Sequence, residues 1–212
     1  MPTHPLWRPF DPAATLARRG HRVARRQLDV AGVVSFDEAW AAQYDEVRSA
    51  LECGLGQRAL RISHVGSTAI PGLPAKPIID IDVTVADSAD EARYLPVLES
   101  AGFRLIAREP EWEEHRCLTY ASPNSNVHVF SPGAIEPQRH LLFRDWLTQN
   151  HEDRNLYGAL KLSLAGVGFE ADADYNGQKA ALVYDFYERA FADDPRFEHD
   201  PRPRPTMSAT GP

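Results

Sequence analysis

Cysteines are scarce in this sequence and long apolar runs are absent, and both facts narrow the class of protein. Two cysteines occur among 212 residues, and Cys53 and Cys117 lie far apart, in no spacing typical of metal ligands. We interpret both as small core residues and expect no disulfide. No run of about 18 apolar residues exists, and the N-terminus lacks the apolar segment of a signal peptide. The sequence therefore predicts a cytoplasmic protein with no membrane partner.

Basic charge is scarce as well. The chain has 23 lysines and arginines against 30 aspartates and glutamates, which gives a formal net charge of −7. Binding along nucleic acid depends on neutralising phosphates with Lys and Arg. We therefore expect no bulk nucleic-acid binding, although one nucleotide in a local pocket is compatible with this charge. Residues 1–32 differ, because they form an arginine-rich extension that suits either an anionic partner or a short solvated helix.

The central part of the chain alternates between helix and strand patterns. Residues 37–53 repeat apolar side chains at helical spacing, and Ser88 is the expected N-cap of the next helix. Five stretches are typical of strands, namely RALRIS, PIIDIDVTV, FRLIA, RCLTYAS and NVHVFS, and the chain from residue 135 onward is typical of helices. We predict one α+β domain over residues 33–193, with the helical half closing over a strand half that carries the chemistry. A disordered proline-rich tail is expected over residues 194–212.

Two aspartates interrupt the clearest strand, PIIDIDVTV. Side chains on a strand alternate between its faces, so Asp80 and Asp82 share one face. The opposite, apolar face consists of Ile79, Ile81, Val83 and Val85. The two carboxylates then project side by side, about 6 to 7 Å apart along the strand. Adjacent anions repel each other. An outer face open to water is one explanation for the pair, and a hard divalent cation such as Mg²⁺ is the other.

The loop before this strand favours a bound ligand. Gly66 lets the backbone approach a ligand closely, and Ser67 offers a hydroxyl to a phosphate oxygen. Backbone N–H groups in such a turn also suit anions. A glycine-serine turn that is followed by paired aspartates can hold a triphosphate together with its metal ion.

The string HVGSTAIPGLPAKPIIDIDV resembles the GrpB family, a group within the nucleotidyltransferase superfamily. VVSFDEAWAAQYDEVRSAL resembles the opening strand and tryptophan-containing helix of that family. NVHVFSPGAIEPQRHLLFRDWL resembles its later strand and helix, and LYGALKLSLA and YNGQKAALV resemble its two closing helices. The resemblance implies a nucleotidyltransferase-like mixed β-sheet with flanking helices and a C-terminal helical segment.

The resemblance also implies roles for individual residues. Gly66 and Ser67 match the phosphate-handling turn of the superfamily, and Asp80 and Asp82 match the pair that would hold Mg²⁺ or Mn²⁺. Nucleotidyltransferases usually add a third carboxylate from a neighbouring strand. The corresponding face of NVHVF carries no acid, so His128 is left as a general base, as a third metal ligand, or as a histidine with neither role.

Further polar residues are candidates for binding phosphate. Lys76 directly precedes the strand with the aspartates, and His64 is placed to orient the loop by a hydrogen bond. His140 and Arg144 are four residues apart on one predicted helix, so their side chains share a face and can jointly meet an anion.

Two lysines and an acidic segment complete the candidates. Lys161 and Lys179 lie inside apolar helical runs, where a lysine either reaches out to solvent or points into a charged cleft. Their match to the family favours the cleft. The segment REPEWEEHR contains four glutamates and is expected to be an exposed connection, with recognition of a cationic acceptor or supply of the missing acid as alternatives.

The function that these residues predict is nucleotidyl transfer. A Mg²⁺-dependent enzyme would bind a nucleoside triphosphate over Gly66 and Ser67 and transfer a nucleotidyl group to an unidentified small molecule or protein. The missing third acid motivates one alternative, a nucleotide- or metabolite-binding module without turnover. A second alternative is a metal-dependent group transfer or condensation that uses the same cleft without a nucleotide.

Overall fold

The computed structural model of the protein describes residues 2–10, 22–24, 32–164 and 172–204. Its helices and strands follow in chain order: α1 (Ala39–Leu55), β1 (Arg61–Val65), β2 (Ile79–Thr84), α2 (Leu95–Ser100), β3 (Arg104–Glu109), β4 (His115–Tyr120), β5 (Ser125–Phe130), α3 (Glu136–Gln149), α4 (His151–Leu164) and α5 (Asp172–Asp193). Among the described residues, no helix has the length and apolar character that crossing a membrane requires.

The five strands form one mixed sheet in the order β1-β2-β5-β4-β3. Strands β2 and β5 run parallel, whereas the other neighbouring pairs are antiparallel. The strand with the two aspartates therefore lies inside the sheet, between β1 and β5. The sheet with its flanking helices confirms the predicted α+β class.

One face of the sheet packs against α1 and α2. Ile79, Ile81 and Val83 of β2 are fully buried there, in one apolar cluster with Trp40 of α1 and Leu98 of α2. The predicted apolar face of β2 is thus confirmed. Because every second residue of β2 is fixed in this cluster, the intervening aspartates are held on the opposite face.

The three C-terminal helices form a second apolar cluster with the loop that follows β1. Ile70 and Leu73 of that loop pack with Leu147 of α3, Tyr157 of α4 and Phe186 of α5. The glycine-serine loop is therefore anchored to the helical half by its apolar residues. This contact holds the helices beside the polar face of the sheet.

The helix after Ser88 begins later than predicted, and Ser88 does not cap it. The backbone N–H of Ser88 donates to the Ser131 hydroxyl, and the Ser88 carbonyl accepts from Tyr94. Helix α2 starts only at Leu95, with Pro96 in its first turn. Proline lacks the N–H that a helix interior requires, so Pro96 sets the start.

The segment REPEWEEHR is not simply an exposed connection. Glu109 at the end of β3 is only 8% exposed. The carboxylate of Glu113 accepts hydrogen bonds from the backbone N–H groups of Ile135 and Glu136 at 2.9–3.0 Å. These groups begin α3, so Glu113 satisfies donors that the helix start would otherwise leave unpaired.

The cysteines are both free thiols. Cys117 is buried on β4, as expected, but the prediction that Cys53 is a core residue is wrong, because Cys53 is exposed on α1. The buried stripe of α1 contains Leu51 and Leu55. A residue midway between two stripe positions points to the other side of a helix.

The two ends of the described chain lie together against α5. Trp7 donates its indole N–H to Glu188 at 2.7 Å, and the backbone N–H of Arg202 donates to the same carboxylate. Residues 194–204, the first part of the predicted disordered tail, therefore make defined contacts. The predicted helix in the arginine-rich extension falls mostly on residues 11–21 and 25–31, which lie outside the described residues.

Candidate functional site

Strand pairing collects the polar residues on one face of the sheet. In the parallel pair of β2 and β5, Asp80 lies beside Asn126 and Asp82 beside His128. His128 in turn lies opposite Cys117 of β4. Residues paired in register project to the same face, so this polar row follows directly from the alternation of β2.

Asp80 is held at the base of the glycine turn. Its Oδ1 accepts a hydrogen bond from the side-chain amide of Asn126 at 2.7 Å. Burial tends to raise the pKa of Asp80, but His128, Asn126 and Lys179 outweigh it, so the pKa lies below its ordinary value. Asp80 is therefore ionised at neutral pH.

Gly66 makes direct contact with this carboxylate. A Cβ at position 66 would lie 2.5 Å from Oδ2 and 2.9 Å from Cβ of Asp80, and Gly66 has a φ of +69°. Both the contact and the left-handed backbone require glycine. Ser67, the other residue of the predicted turn, is half-buried and begins a single 3₁₀ turn that ends at Ala69.

Asp82 is the more deeply buried of the two aspartates, with only 3% of its surface exposed. Its Oδ2 pairs with Nδ1 of His140 on α3 at 2.9 Å. Its Oδ1 is buried and has no hydrogen-bond partner among the described residues. A buried carboxylate oxygen without a donor is costly, and Oδ1 is therefore the oxygen of this site that most needs a donor or a cation.

His64 is joined to the loop after β1 by a hydrogen bond. Its Nε2 lies 3.1 Å from the Thr68 hydroxyl, which donates to the carbonyl of Ile78. The ring stacks on Tyr44, and burial lowers the pKa of His64 to about 4. His64 is thus neutral at physiological pH, and its Nε2–H donates to Thr68. This bridge ties the start of the loop to the start of β2.

His140 and Arg144, which were predicted to contact one anion jointly, contact different groups. His140 contacts Asp82 as described, whereas Arg144 donates to the backbone carbonyl of His64 at 3.0 Å and to Asp145. Arg144 therefore joins α3 to β1. The structure places it as a support of the site rather than beside the aspartates.

The predicted lysines lie at different depths. Lys161 on α4 is 5% exposed, its ammonium has no hydrogen-bond partner among the described residues, and it lies over the Tyr157 ring at 5.1 Å. Burial and, after it, the charge of Lys179 lower the pKa of Lys161 to about 7, although Asp80 acts in the opposite direction. Lys179 is half-buried, whereas Lys76 is exposed.

His115 is the residue of this face that the sequence analysis did not assign, and Glu109 beside it comes from the segment for which supply of the missing acid was one alternative. Nδ1 of His115 lies 2.6 Å from Glu109, and Nε2 of His115 lies 2.9 Å from Nδ1 of His128. Burial tends to lower the pKa of His128, but Cys117 and the two aspartates outweigh it and raise the pKa well above its ordinary value. A charged His128 therefore offsets part of the negative charge of the aspartates.

The donor set suits a hard ion with an incomplete protein shell. Within the described ranges no group of three His, Cys, Asp or Glu residues is arranged to hold a metal. A closed zinc site, which needs four such ligands, is thus not formed there. Mg²⁺ and Mn²⁺ are compatible with two carboxylates, because Mg²⁺ keeps several waters and substrate oxygens in its shell.

The fold and the site define an α+β protein with paired aspartates between a sheet and a helical half. The family model described as GrpB protein matches residues 31–189. This chain therefore belongs to the GrpB family.

Relatives and a solved structure agree with this assignment. A UPF0157 protein of Halalkalibacterium halodurans is 42% identical over 160 residues, which is 76% of this chain and 82% of that protein. A UPF0157 protein of Streptomyces coelicolor is 37% identical over 76% of this chain and 84% of that protein. The crystal structure of conserved protein GrpB from Enterococcus faecalis has a TM-score of 0.66 and 30% identity, over 75% of this chain and 96% of that one.

A further relative is a longer protein. A dephospho-CoA kinase of Mycolicibacterium paratuberculosis is 33% identical over 200 residues, and the match covers 81% of this chain but 49% of that kinase. The similarity therefore concerns about half of the kinase chain.

Replacing Gly66 with alanine tests the close contact between the turn and Asp80. Gly56 has a φ of +53° but no atom within 4 Å of an added Cβ, so Gly56→Ala is the matched control. We expect Gly56→Ala to cost about 1–3 kcal/mol from backbone strain. Gly66→Ala should cost about 1–3 kcal/mol more, because the methyl group also displaces Asp80. Urea unfolding of both variants measures the difference, and equal losses would contradict the contact.

Proposed function

We propose that this protein is a metal-dependent transferase of the nucleotidyltransferase type. The observation that carries the proposal is the buried Oδ1 of Asp82, which has no hydrogen-bond partner among the described residues and lies beside the ionised Asp80. Two carboxylates in neighbouring positions of one strand face repel each other unless a cation lies between them. Mg²⁺ is the proposed ion, with Mn²⁺ as its substitute.

Lys161 supports a phosphate-bearing substrate. A buried ammonium without a partner is costly unless an anion meets it, and the charge of Lys161 interacts with both Asp80 and Lys179. The site thus has a negative side that suits a cation and a positive side that suits phosphate oxygens. A nucleoside triphosphate with its divalent ion carries both charges.

The residues of this chain have separate tasks in the proposed reaction. The acceptor hydroxyl attacks the α-phosphorus, the bond to the β-phosphate oxygen breaks, and pyrophosphate leaves. Lys161 and Lys179 stabilise the phosphate charge, and His128 takes the hydroxyl proton. Bound Mg²⁺ would offset charge on the phosphate oxygens and favour the neutral, basic form of His128.

The proposal does not extend to the activity of the longer relatives. The match to the dephospho-CoA kinase spans about half of that protein, so it supports shared family membership and not kinase activity of this chain. We further propose that the partners are a nucleoside triphosphate and a separate acceptor. The cytoplasm is the expected location.

Calorimetric titration tests the proposed site directly. The protein is titrated with ATP, GTP, CTP and UTP, each with and without Mg²⁺, and the titrations are repeated on Asp80→Asn/Asp82→Asn. We expect Mg²⁺-dependent binding of at least one nucleotide, weakened 100-fold or more in the variant (about 3 kcal/mol), because the variant removes both charges that hold the ion. Asp45→Asn/Asp193→Asn, which changes two exposed aspartates, is the control of equal charge and should bind normally.

The same titration separates the alternatives. Nucleotide binding without any product in an acceptor screen would favour the binding module that lacks turnover. Absence of binding for all four nucleotides would contradict nucleotidyl transfer and leave a group transfer without nucleotides. Unchanged Mg²⁺-dependent binding in Asp80→Asn/Asp82→Asn would contradict the metal assignment itself.

Lys161→Met tests whether the buried lysine is kept for an anion. The pKa of Lys161 is about 7 in the folded protein against 10.5 as its ordinary value. The unfolded chain therefore binds more protons between these pH values, and wild-type stability rises with pH across this window. We expect Lys161→Met to be more stable than wild type by about 1–3 kcal/mol near pH 6, with an advantage that shrinks toward pH 10.

Urea unfolding between about pH 6 and about pH 10 measures this trend. Arg93→Met, which changes an arginine whose side chain is 81% exposed, is the control and should show no comparable trend. A Lys161→Met variant that is less stable than wild type near pH 6 would show that the ammonium stabilises the fold, contrary to our account.

A further inference from the structure

A chain of buried side chains leads from Glu109 to the aspartate pair. Oε2 of Glu109 lies 2.6 Å from Nδ1 of His115, and Nε2 of His115 lies 2.9 Å from Nδ1 of His128. Nε2 of His128 then faces Oδ1 of Asp80 at 3.9 Å. The inner members are shielded from water, since the side chain of His115 is 3% exposed and that of Glu109 is 10% exposed.

The sheet register produces this chain. Glu109 of β3 and His115 of β4 are directly opposite in their antiparallel pair. His128 of β5 is opposite Cys117, and His115 is therefore its diagonal neighbour on the same face. The rings of Trp112 and Phe130 pack against His115 at centroid distances of 4.7 and 4.8 Å. The central ring thus has two aromatic contacts besides its hydrogen bonds.

The hydrogen bonds fix where the protons lie. Burial lowers the pKa of His115 to about 4, so its ring is neutral and carries one N–H. An ionised Glu109 has only acceptor oxygens, and Nδ1 of His115 then carries that hydrogen and donates it. Nε2 of His115 is then an acceptor, and Nδ1 of His128 must be the donor to it. Nε2 of His128 is left as the nitrogen whose proton is exchangeable.

We propose that Glu109 and His115 are positioning residues, which keep a proton on Nδ1 of His128 so that the Nε2 lone pair of its neutral ring is presented beside Asp80. The use of that lone pair as the base for the acceptor hydroxyl rests on the proposed function. The series of side chains from Glu109 through His115 to His128 takes the place of the third carboxylate that the neighbouring strand does not supply. Glu109 is a carboxylic acid on this face, but it acts through His115 and sets which nitrogen of the base, His128, carries the proton.

Burial of these groups is difficult to explain as a fold-stabilising device. A buried carboxylate and a buried imidazole each lose hydration on folding, and an apolar pair of similar volume often stabilises a protein as well or better. The series of contacts also leads to the aspartate pair. A tautomer held by a carboxylate is an arrangement that raises the basicity of the ring it orients.

Nitrogen NMR of histidine-labelled protein tests the arrangement without nucleotide or metal. Two-bond ¹H–¹⁵N spectra distinguish a protonated from an unprotonated ring nitrogen, and His115→Gln and His128→Gln assign the signals. At a pH at which the His128 ring is neutral, we expect protonated Nδ1 and unprotonated Nε2 in His128. A scalar coupling across the hydrogen bond should connect Nε2 of His115 with Nδ1 of His128.

Substitutions of Glu109 test its part in the chain. Glu109→Met removes the acceptor at nearly constant volume, so His115 should move its proton to Nε2 and His128 should exchange its protonated and unprotonated nitrogens. Glu109→Gln keeps a carbonyl that can accept from Nδ1 of His115, so it should restore the wild-type tautomer at least in part. Glu111→Met changes an exposed glutamate in the same connection and should leave the spectrum unchanged.

Three outcomes would overturn the proposal. The first is an unprotonated Nδ1 of His128 in the wild type, which needs no variant and stands even if Glu109→Met fails to fold. The second is a wild-type tautomer that persists in folded Glu109→Met, and the third is a Glu109→Gln spectrum identical to that of Glu109→Met. Because no ligand is present, these outcomes are independent of the nucleotide titration: the chain can be confirmed while nucleotidyl transfer fails, and the reverse.

Discussion

The buried carboxylate of Asp82 is the group around which the rest of the site is arranged. Taking a charge out of water is costly unless donors or a cation surround it, and here one oxygen contacts His140 while the other has no partner in the described part of the chain. The apolar face of β2 prevents the strand from turning this side chain outward, because Ile81 and Val83 on either side are fully buried. The carboxylate is thus held with one oxygen in a position that the proposed cation would occupy.

The elements around Asp82 keep opposite charges close without letting them neutralise one another completely. The loop after β1 approaches Asp80 through Gly66 and is fastened by His64 and by apolar contacts to the helical half. The helical half brings His140 and Lys161 toward the aspartates, and the ammonium of Lys161 has no hydrogen-bond partner in the part of the chain that the structure describes. An arrangement with an incomplete anionic part and an incomplete cationic part suits a ligand that carries both a metal ion and phosphate groups.

Local patterns in the sequence predicted the parts of the structure that depend on neighbouring residues. The alternation of β2 placed Asp80 and Asp82 on one face, and the strand and helix patterns gave the α+β class. Features that depend on cross-strand register were missed: Glu109 and His115 meet only because β3 and β4 pair at those positions. The tertiary structure also determines the partner of Arg144. Arg144 shares a helix with His140, but it donates to the backbone carbonyl of His64 instead. Sequence spacing alone cannot reveal such long-range partners.

The most direct test of the central claim is to locate a divalent ion by anomalous diffraction from crystals of the protein soaked in Mn²⁺. The account predicts an anomalous peak within direct coordination distance of Oδ1 of Asp82 and of an oxygen of Asp80, with the remaining positions filled by water. The peak should vanish in crystals of Asp80→Asn/Asp82→Asn. A saturating soak that gives no peak between the two aspartates, or places the ion elsewhere, would contradict the claim that this strand face is a metal site.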